Sequence, residues 1–241
     1  MNRFFVESQA IQADNVVFND QQARQIWRVL RMKPGDQCIV LDNLGGEMTV
    51  ELASCKEGIC TGRILERKRA SEPAIRLLMI LALTQREKFE WMLQKCTEVG
   101  AGAFLPVVTS RTLVQSPADA MGKYERWGTI LREAAEQCGR GRIPELLPVM
   151  ELDDAVRYAG KEYKTRLLPW EGERRSHIKE YLRGNSSANT VVLIGPEGGF
   201  SEEEVAFAVK AGFTPVTLGE RILRMETAAV VAGALVMYEW G

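Results

Sequence analysis

Two loops near the carboxyl end of the sequence carry the residues best suited to chemistry. Residues 195–199, Gly-Pro-Glu-Gly-Gly, follow an apolar run at 191–194, and residues 219–224 follow a second strand-like run at 215–218. Ligands in open α/β sheets bind beyond the carboxyl ends of the strands, and glycine lets backbone amides approach a ligand closely. Two such loops in succession predict one small-molecule site built mostly from main chain.

The common nucleotide-binding fingerprints are missing from the chain. It contains neither G-x-G-x-x-G nor G-x-x-x-x-G-K-[ST]. The loop region is acidic at Glu197 and at residues 202–204, which disfavours a polyphosphate. A ligand with a cationic centre, or a neutral adenosine part, fits this pattern better. Glycines that only make turns between strands and helices remain the alternative.

Alternating strands and helices must position these loops. Ser201 and Glu204 form a capping-box pattern at a helix start. Further helices are predicted from apolar periodicity at residues 88–99 and 124–138, and from residue 225 onward. Runs of mainly apolar residues predict strands at residues 75–83, 104–108, 165–168, 191–194 and 215–218. This alternation predicts a mostly parallel sheet.

Residues 1–70 differ from the rest and predict a small β-barrel domain. Short strands are predicted at residues 37–41, 47–52 and 59–65, with turns at 34–36, 43–46 and 56–58. The charged segment 66–73 ends in proline and is the predicted domain boundary. A second domain then covers residues 74–241.

A helix predicted at residues 21–32 carries an arginine face. Arg24, Arg28 and Arg31 recur at i, i+4 and i+7, with no acidic residue between them on that face. Arginine suits phosphate through its planar fork of donors, so we expect RNA backbone contact, with a solvated surface as the alternative. The apolar side of the same helix is predicted to comprise Ala23, Trp27 and Leu30.

Composition excludes several classes of protein. The chain has 241 residues, a net charge of −1 and a single histidine, His177, so a zinc site with several histidines is impossible and no metal is expected. No apolar run reaches the roughly 18 residues of a membrane-spanning helix. Five scattered cysteines predict reduced thiols, and the absence of a signal-peptide pattern predicts a cytoplasmic protein.

Several motifs carry a family resemblance over nearly the whole chain. Residues 194–199 and 218–228 resemble the last two signature motifs of SPOUT-class RNA methyltransferases, and the second is similar to that of the RsmE family. Residues 86–100 resemble the first helix of that family. Residues 133–137, with Arg140 and Arg142, resemble its central motif. Residues 28–31 with 34–36 resemble the PUA-like RNA-binding domain that opens RsmE-type proteins.

The resemblance implies a fold and an activity. The expected fold is α/β, with a PUA-like β-barrel at residues 1–70 and a SPOUT domain at 74–241 that contains a deep trefoil knot, although true knots are almost absent from proteins. The implied activity is S-adenosylmethionine-dependent methylation of uridine N3 in 16S ribosomal RNA of the small ribosomal subunit. The alternatives are ribose 2′-O-methylation of tRNA or rRNA, and a non-catalytic ribosome-assembly factor.

The implied reaction and the positions of the strand-end loops predict roles for individual residues. Arg224 supplies positive charge during catalysis, and Glu226 acts as acid or base or orients Arg224, with complementation of a helix N-terminus as its alternative. Arg140 and Arg142 are expected to contact RNA across a homodimer that the uncharged helix segment 228–238 helps to form. Complete burial of that helix within its own domain is the alternative. The predicted cofactor contacts are Leu168, Pro169, Gly195, Pro196, Glu197, Gly198, Leu218, Gly219, Ile222, Leu223, Arg224 and Thr227.

Overall fold

The computed structural model describes residues 1–56 and 59–241, and its chain divides into two units. The first unit comprises Met1–Glu72 together with Ala135–Ile143, and the second comprises Pro73–Ala134 together with Pro144–Gly241. The turn predicted around residues 57 and 58 lies outside the described residues.

A six-stranded sheet forms the first unit within the described residues, in the order β1-β4-β5-β6-β3-β2. Neighbouring strands are antiparallel except β1 and β4, which are parallel. A short 3₁₀ turn covers Ser8–Ala10. The strands are β1 (Arg3–Phe5), β2 (Ile11–Gln12), β3 (Asn15–Phe18), β4 (Gln37–Leu41), β5 (Gly46–Lys56) and β6 (Ile59–Arg69).

This sheet curls around its own apolar core. The ring of Phe4, on edge strand β1, meets the ring of Phe18 on β3 with centroids 5.8 Å apart. Register shifts in the β5–β6 pair, between Thr49 and Val50 and between Leu52 and Ser54, bend the two long strands. Among the described residues β1 and β2 form no ladder with each other, so the barrel is open along one side.

The predicted helix at residues 21–32 is wrong in its second half. The α-helix α1 spans Asp20–Arg24 and continues as a π-helical turn over Gln25–Val29. The Leu30 N–H donates to the Gln25 carbonyl at 2.9 Å, and Arg31 has a left-handed φ of 53°. The wider turn changes the buried face to Ala23 and Ile26, and it leaves Trp27 43% exposed.

The expectation that all five cysteines are reduced is also wrong. Cys55 and Cys60 are direct partners across the β5–β6 hairpin, with Cα atoms 4.2 Å apart, and they form a disulfide. Burial raises the pKa of the Cys38 and Cys96 thiols to about 12 each. These two thiols therefore stay protonated and unreactive at neutral pH.

The segment Ala135–Ile143 belongs to the first unit, although the predicted boundary assigns it to the second domain. Specific bonds hold it there. The Glu136 carboxylate accepts the Phe5 N–H at 2.9 Å, and the Arg140 guanidinium pairs with Glu72 at 2.8 Å. Contacts of this kind between distant parts of the chain leave no periodic signal in the sequence.

A seven-stranded parallel sheet forms the core of the second unit within the described residues, which confirms the predicted parallel α/β architecture. Its order is β10-β8-β7-β12-β11-β13, and β9 pairs with β8. Most residues of β7, β8 and β12 are buried, as expected for strands covered on both faces. The strands are β7 (Arg76–Ala82), β8 (Ala103–Val108), β9 (Glu145–Leu146), β10 (Met150–Glu151), β11 (Thr165–Pro169), β12 (Asn189–Ile194) and β13 (Thr214–Val216).

Helices connect these strands. The capping box at Ser201 is present, since Ser201 Oγ accepts the Glu204 N–H at 3.2 Å and the Glu204 carboxylate accepts the Ser201 N–H at 2.8 Å. A 3₁₀ segment covers Pro117–Lys123. The helices are α2 (Arg86–Glu98), α3 (Tyr124–Cys138), α4 (Leu152–Glu162), α5 (Ile178–Gly184), α6 (Glu202–Lys210) and α7 (Met225–Trp240).

The apolar C-terminal helix α7 is covered on part of its surface. It packs against β7 and β12 and also contacts α2 and α5. Ala229, Ala232 and Val236 are buried, whereas Val231 and Leu235 remain partly exposed. No helix in the described part of the chain combines the length and apolar character that a membrane crossing requires.

Candidate active site

Three loops meet at the carboxyl ends of three neighbouring strands. In the sheet β11 lies between β12 and β13, and all three run parallel, so the loops after Pro169, Ile194 and Val216 leave the same edge. They enclose a cleft of about 480 Å³ with an adjoining hollow of about 90 Å³. Pro169, Glu171, Ile222, Leu223 and Ala228 line both spaces, so we treat them as one cleft.

Local geometry explains two of the glycines. A Cβ atom on Gly195 would lie 2.8 Å from the Phe200 ring, so only glycine lets this loop fold back under the ring. Gly219 has a φ of 129°, which side chains rarely tolerate. The Thr217 hydroxyl stabilises that turn by accepting the Gly219 N–H at 3.2 Å and donating to the Gly219 carbonyl at 3.0 Å.

Most of the predicted cofactor contacts come together in this cleft. Leu168 does not line it, because its side chain is buried in the sheet, and Thr227 is exposed away from it. The predicted residues that line it are Pro169, Gly195, Pro196, Glu197, Gly198, Leu218, Gly219, Ile222, Leu223 and Arg224.

The two predicted catalytic residues lie at the start of α7. Arg224 is the N-cap residue of that helix, its side chain is exposed, and it lines the cleft. Glu226 lies in the first turn and lines the same wall. Among the described residues no ion pair joins these two side chains, so Arg224 keeps its donors available for a ligand.

Sequence reasoning missed three residues of the site. Lys88, in the first turn of α2, lines the cleft and forms an ion pair with Glu197. Glu171 follows β11 and lines both parts of the cleft. Arg111 donates to the Gly198 carbonyl at 2.7 Å and supports the loop from behind. Lys88 lies within residues 86–100, which resemble the first helix of the family. Its partner Glu197 is 109 residues away, so the sequence does not indicate the ion pair.

The cleft suits a ligand that combines an apolar part with a cationic centre. Pro169, Ile222 and Leu223 provide apolar surface. In the larger part of the cleft the carboxylates of Glu171, Glu197 and Glu226 outnumber the cations of Lys88 and Arg224. The adjoining hollow adds Glu220, Arg174 and Arg221. A volume of about 480 Å³ falls within the range of roughly 300–1,000 Å³ typical of cofactor pockets. No cluster of metal-binding side chains occurs in the part of the chain described.

Two protein families match the chain. The RNA methyltransferase domain matches residues 71–237, and the RNA methyltransferase PUA domain matches residues 18–65. Ribosomal RNA small subunit methyltransferase E of Synechocystis is 34% identical over 95% of this chain and 75% of its own length. The chain belongs to this methyltransferase family.

Further relatives extend the similarity to the whole length. Ribosomal RNA small subunit methyltransferase E of Bacillus subtilis is 30% identical over 99% of this chain and 97% of its own. The crystal structure of the Neisseria gonorrhoeae enzyme of the same name, bound to S-adenosyl methionine, superimposes with a TM-score of 0.84 at 29% identity. That comparison covers 100% of this chain and 98% of the other.

The arginines predicted to bind RNA in this methyltransferase differ in their surroundings. Arg24, Arg28 and Arg31 are exposed, and Arg28 lies over the Trp27 ring at 5.7 Å. Arg140 is only 8% exposed and pairs with Glu72, so it has a structural role within the first unit, and RNA contact by it stays a prediction. Arg142 is exposed and donates to the Leu44 carbonyl at 3.0 Å.

Proposed function

We propose that this chain transfers a methyl group from S-adenosylmethionine to N3 of a uridine in 16S ribosomal RNA. The observation that carries the proposal is the cleft at the ends of β11, β12 and β13, in a chain similar over its full length to the S-adenosyl methionine-bound Neisseria gonorrhoeae enzyme. The substrate is the RNA of the small ribosomal subunit, and an enzyme with that substrate acts in the cytoplasm.

The chemistry requires charge control at the uridine. When bound, S-adenosylmethionine supplies an electrophilic methyl group on a positively charged sulfur. The uridine N3–H must lose its proton, the N3–carbon bond forms as the carbon–sulfur bond breaks, and S-adenosylhomocysteine and a proton are the other products. Negative charge develops on the uracil ring, and Arg224 is available to stabilise it. Glu226 accepts the proton or orients Arg224.

The glycine loops bind the cofactor and the carboxylates balance its positive charge. Backbone amides of residues 195–198 and 218–219 approach the ligand, while Leu223 and Pro169 cover its apolar part. Glu171 has no ion-pair partner among the described residues and lines both parts of the cleft, so its carboxylate attracts the cationic end.

Replacing Ile222 with alanine tests the cofactor site without disturbing the fold. Ile222 is 77% exposed and lines both parts of the cleft, so its loss should leave the melting temperature unchanged. A ligand that covers this side chain buries it, and we expect the variant to bind S-adenosylmethionine about tenfold more weakly, or ~1.4 kcal/mol. Isothermal titration calorimetry measures the affinity. Met121→Ala is the matched control, because Met121 is 71% exposed and lies outside the cleft.

Analysis of the methylated nucleoside separates the proposed reaction from its alternatives. The purified protein is incubated with S-adenosylmethionine and small subunits from a strain that lacks the enzyme, and the nucleosides are examined by mass spectrometry. We expect 3-methyluridine. A 2′-O-methylated nucleoside would identify a ribose methyltransferase instead. Absence of both products, with no calorimetric signal for S-adenosylmethionine, would leave a non-catalytic assembly factor.

The exposed arginines of the first unit are proposed to bind RNA backbone. The variant in which Arg24, Arg28 and Arg31 are all alanine should bind 16S rRNA more weakly. Its plot of log affinity against log salt should be shallower by about 2 to 3, because each lost phosphate contact removes 0.7–0.9 from the slope. Filter binding at several salt concentrations measures this. A folded triple variant with the wild-type slope would contradict the proposal.

We propose a homodimer that is built in part by α7 and brings Arg140 and Arg142 towards the partner's cleft. Apolar residues such as Val231 and Leu235 remain partly exposed on α7, and a partner helix would cover them. Sedimentation equilibrium at micromolar concentration should give twice the chain mass of 27.0 kDa. A monomer mass with full methylation activity would show that α7 serves only the core of its own unit.

We also propose that the polypeptide is knotted around the cofactor loops, as the family resemblance implies. Pulling residues 74 and 241 apart in a single-molecule experiment should leave a fully unfolded chain shorter than its contour length, because a tightened knot retains residues. An end-to-end length equal to the contour length would contradict the knot.

A further inference from the structure

A second cavity of about 220 Å³ lies at the carboxyl end of β7, beside the cleft. The first turn of α2 separates the two spaces, since Lys88 lines the cleft and its neighbours on the helix line the second cavity. We call this cavity the basic recess. Its charged and aromatic lining comprises Arg86, Phe89 and Glu90 of α2, Lys123, and Arg126 and Trp127 of α3.

The recess carries three cationic side chains and one carboxylate. Glu90 accepts two hydrogen bonds from Arg126, at 2.5 and 2.6 Å, and one from Arg86 at 2.8 Å. Hydrogen bonding from Arg126, aided by Arg86, lowers the pKa of Glu90, so this carboxyl group is ionised at neutral pH. Two net positive charges remain in the recess, and Glu133, which also attracts Arg126, does not line it.

Several hydrogen-bond donors in the recess have no acceptor among the described residues. Arg86 uses its Nε atom for Glu90, Arg126 uses Nε and Nη2, and Lys123 has no acceptor within hydrogen-bonding distance among the described residues. The rings of Phe89 and Trp127, which also line the recess, pack against each other with centroids 4.8 Å apart, and both side chains are buried. The Glu90 carboxylate holds the two guanidinium groups in place before any ligand arrives.

We propose that the basic recess binds one backbone phosphate of the substrate RNA, next to the uridine that is methylated. The proposal rests on the proposed function, because it assumes that RNA enters the neighbouring cleft. Guanidinium forks match the paired oxygens of a phosphodiester. The volume of about 220 Å³ lies below the roughly 300 Å³ at which pockets begin to hold a whole cofactor. A phosphate bound in the recess would determine which nucleotide of the RNA lies in the neighbouring cleft.

The test is the double variant Arg86→Gln and Lys123→Gln. Both side chains reach the surface, and the bidentate Arg126–Glu90 pair stays intact, so the fold is retained. Loss of one phosphate contact should lower the salt slope of rRNA binding by about 0.7 and weaken binding about fivefold at 0.1 M salt. The KM for the small subunit should rise by the same factor, while kcat and the affinity for S-adenosylmethionine stay unchanged.

The matched control is Lys161→Gln and Lys210→Gln, which removes the same charge from exposed positions. These lysines lie in the last turns of α4 and α6, towards the amino ends of the strands and away from the cleft. If the recess variant has the control's salt slope and KM while wild type methylates normally, the recess proposal fails alone. If wild type neither binds nor methylates rRNA, the proposed function fails. Calorimetric binding of inorganic phosphate with an unchanged RNA slope would identify a free-anion site and overturn the RNA assignment.

Discussion

Replacing Arg224 with alanine should lower kcat by about 10²–10³, the loss typical when one donor that stabilises a developing charge is removed. Arg224 lines the cleft, is exposed and caps the start of α7 through its backbone, so its side chain contributes little to the fold. Its expected role begins only when the uridine loses its proton. The affinity for S-adenosylmethionine, measured by calorimetry, should therefore change much less than kcat, measured at saturating RNA.

The pH profile distinguishes charge stabilisation from a positioning effect. Without Arg224 the rate should rise steadily with pH, because the fraction of ionised uridine then limits the reaction. Arg224→Lys should recover part of the activity, since it keeps the charge and loses the fork. Arg183→Ala, at an exposed position in the last turn of α5, is the control for loss of a surface arginine. If Arg224→Ala keeps the wild-type kcat, whether or not its KM for RNA rises, the proposed catalytic role is wrong.

The variant Gly195→Val should lose most of its cofactor affinity. Even the first added atom would lie 2.8 Å from the Phe200 ring, so the loop or the ring must move at a cost of about 1–3 kcal/mol. The branched side chain also fills space where we expect the backbone to meet the ligand. Together these effects should weaken S-adenosylmethionine binding by about a hundredfold, or ~2.7 kcal/mol.

The double variant Gly195→Val and Phe200→Ala separates the two causes. Removing the ring relieves the clash inside the protein but keeps an added side chain on a residue that lines the cleft. We expect calorimetry to show that affinity stays weak, whereas Phe200→Ala alone loses less because glycine is kept. Full recovery of affinity in the double variant would mean that Gly195 serves only the packing of Phe200, and that no backbone contact to the ligand is made there.

Regular elements of the second unit could be predicted because their signals are local. Buried strands such as β7 are continuous apolar runs, and the capping box at Ser201 is readable from four residues. The helix α4 also has a readable period, with Leu152, Ala155, Val156 and Ala159 buried, but it was not predicted. The π-helical turn after Arg24 could not be predicted, because tertiary packing decides it.

Part of the candidate site could likewise be predicted from the sequence, and part of it could not. The glycine loops stand out from their spacing, and the parallel order of β12, β11 and β13 brings those loops to one edge. The ion pair between Lys88 and Glu197 spans 109 residues, and the support of Gly198 by Arg111 spans 87. Such pairs depend on how strands are ordered in the sheet, which a single sequence does not reveal.

The glycines in the lining of the cleft have a consequence for mutational robustness. Gly195, Gly198 and Gly219 have no side chain and present backbone to the cleft, and backbone groups are the same whatever sequence surrounds them. Substitutions in the surrounding residues should therefore leave this part of the ligand-facing surface unchanged. An inhibitor anchored on these amides would offer a target cell few single substitutions that block it and still leave the enzyme intact.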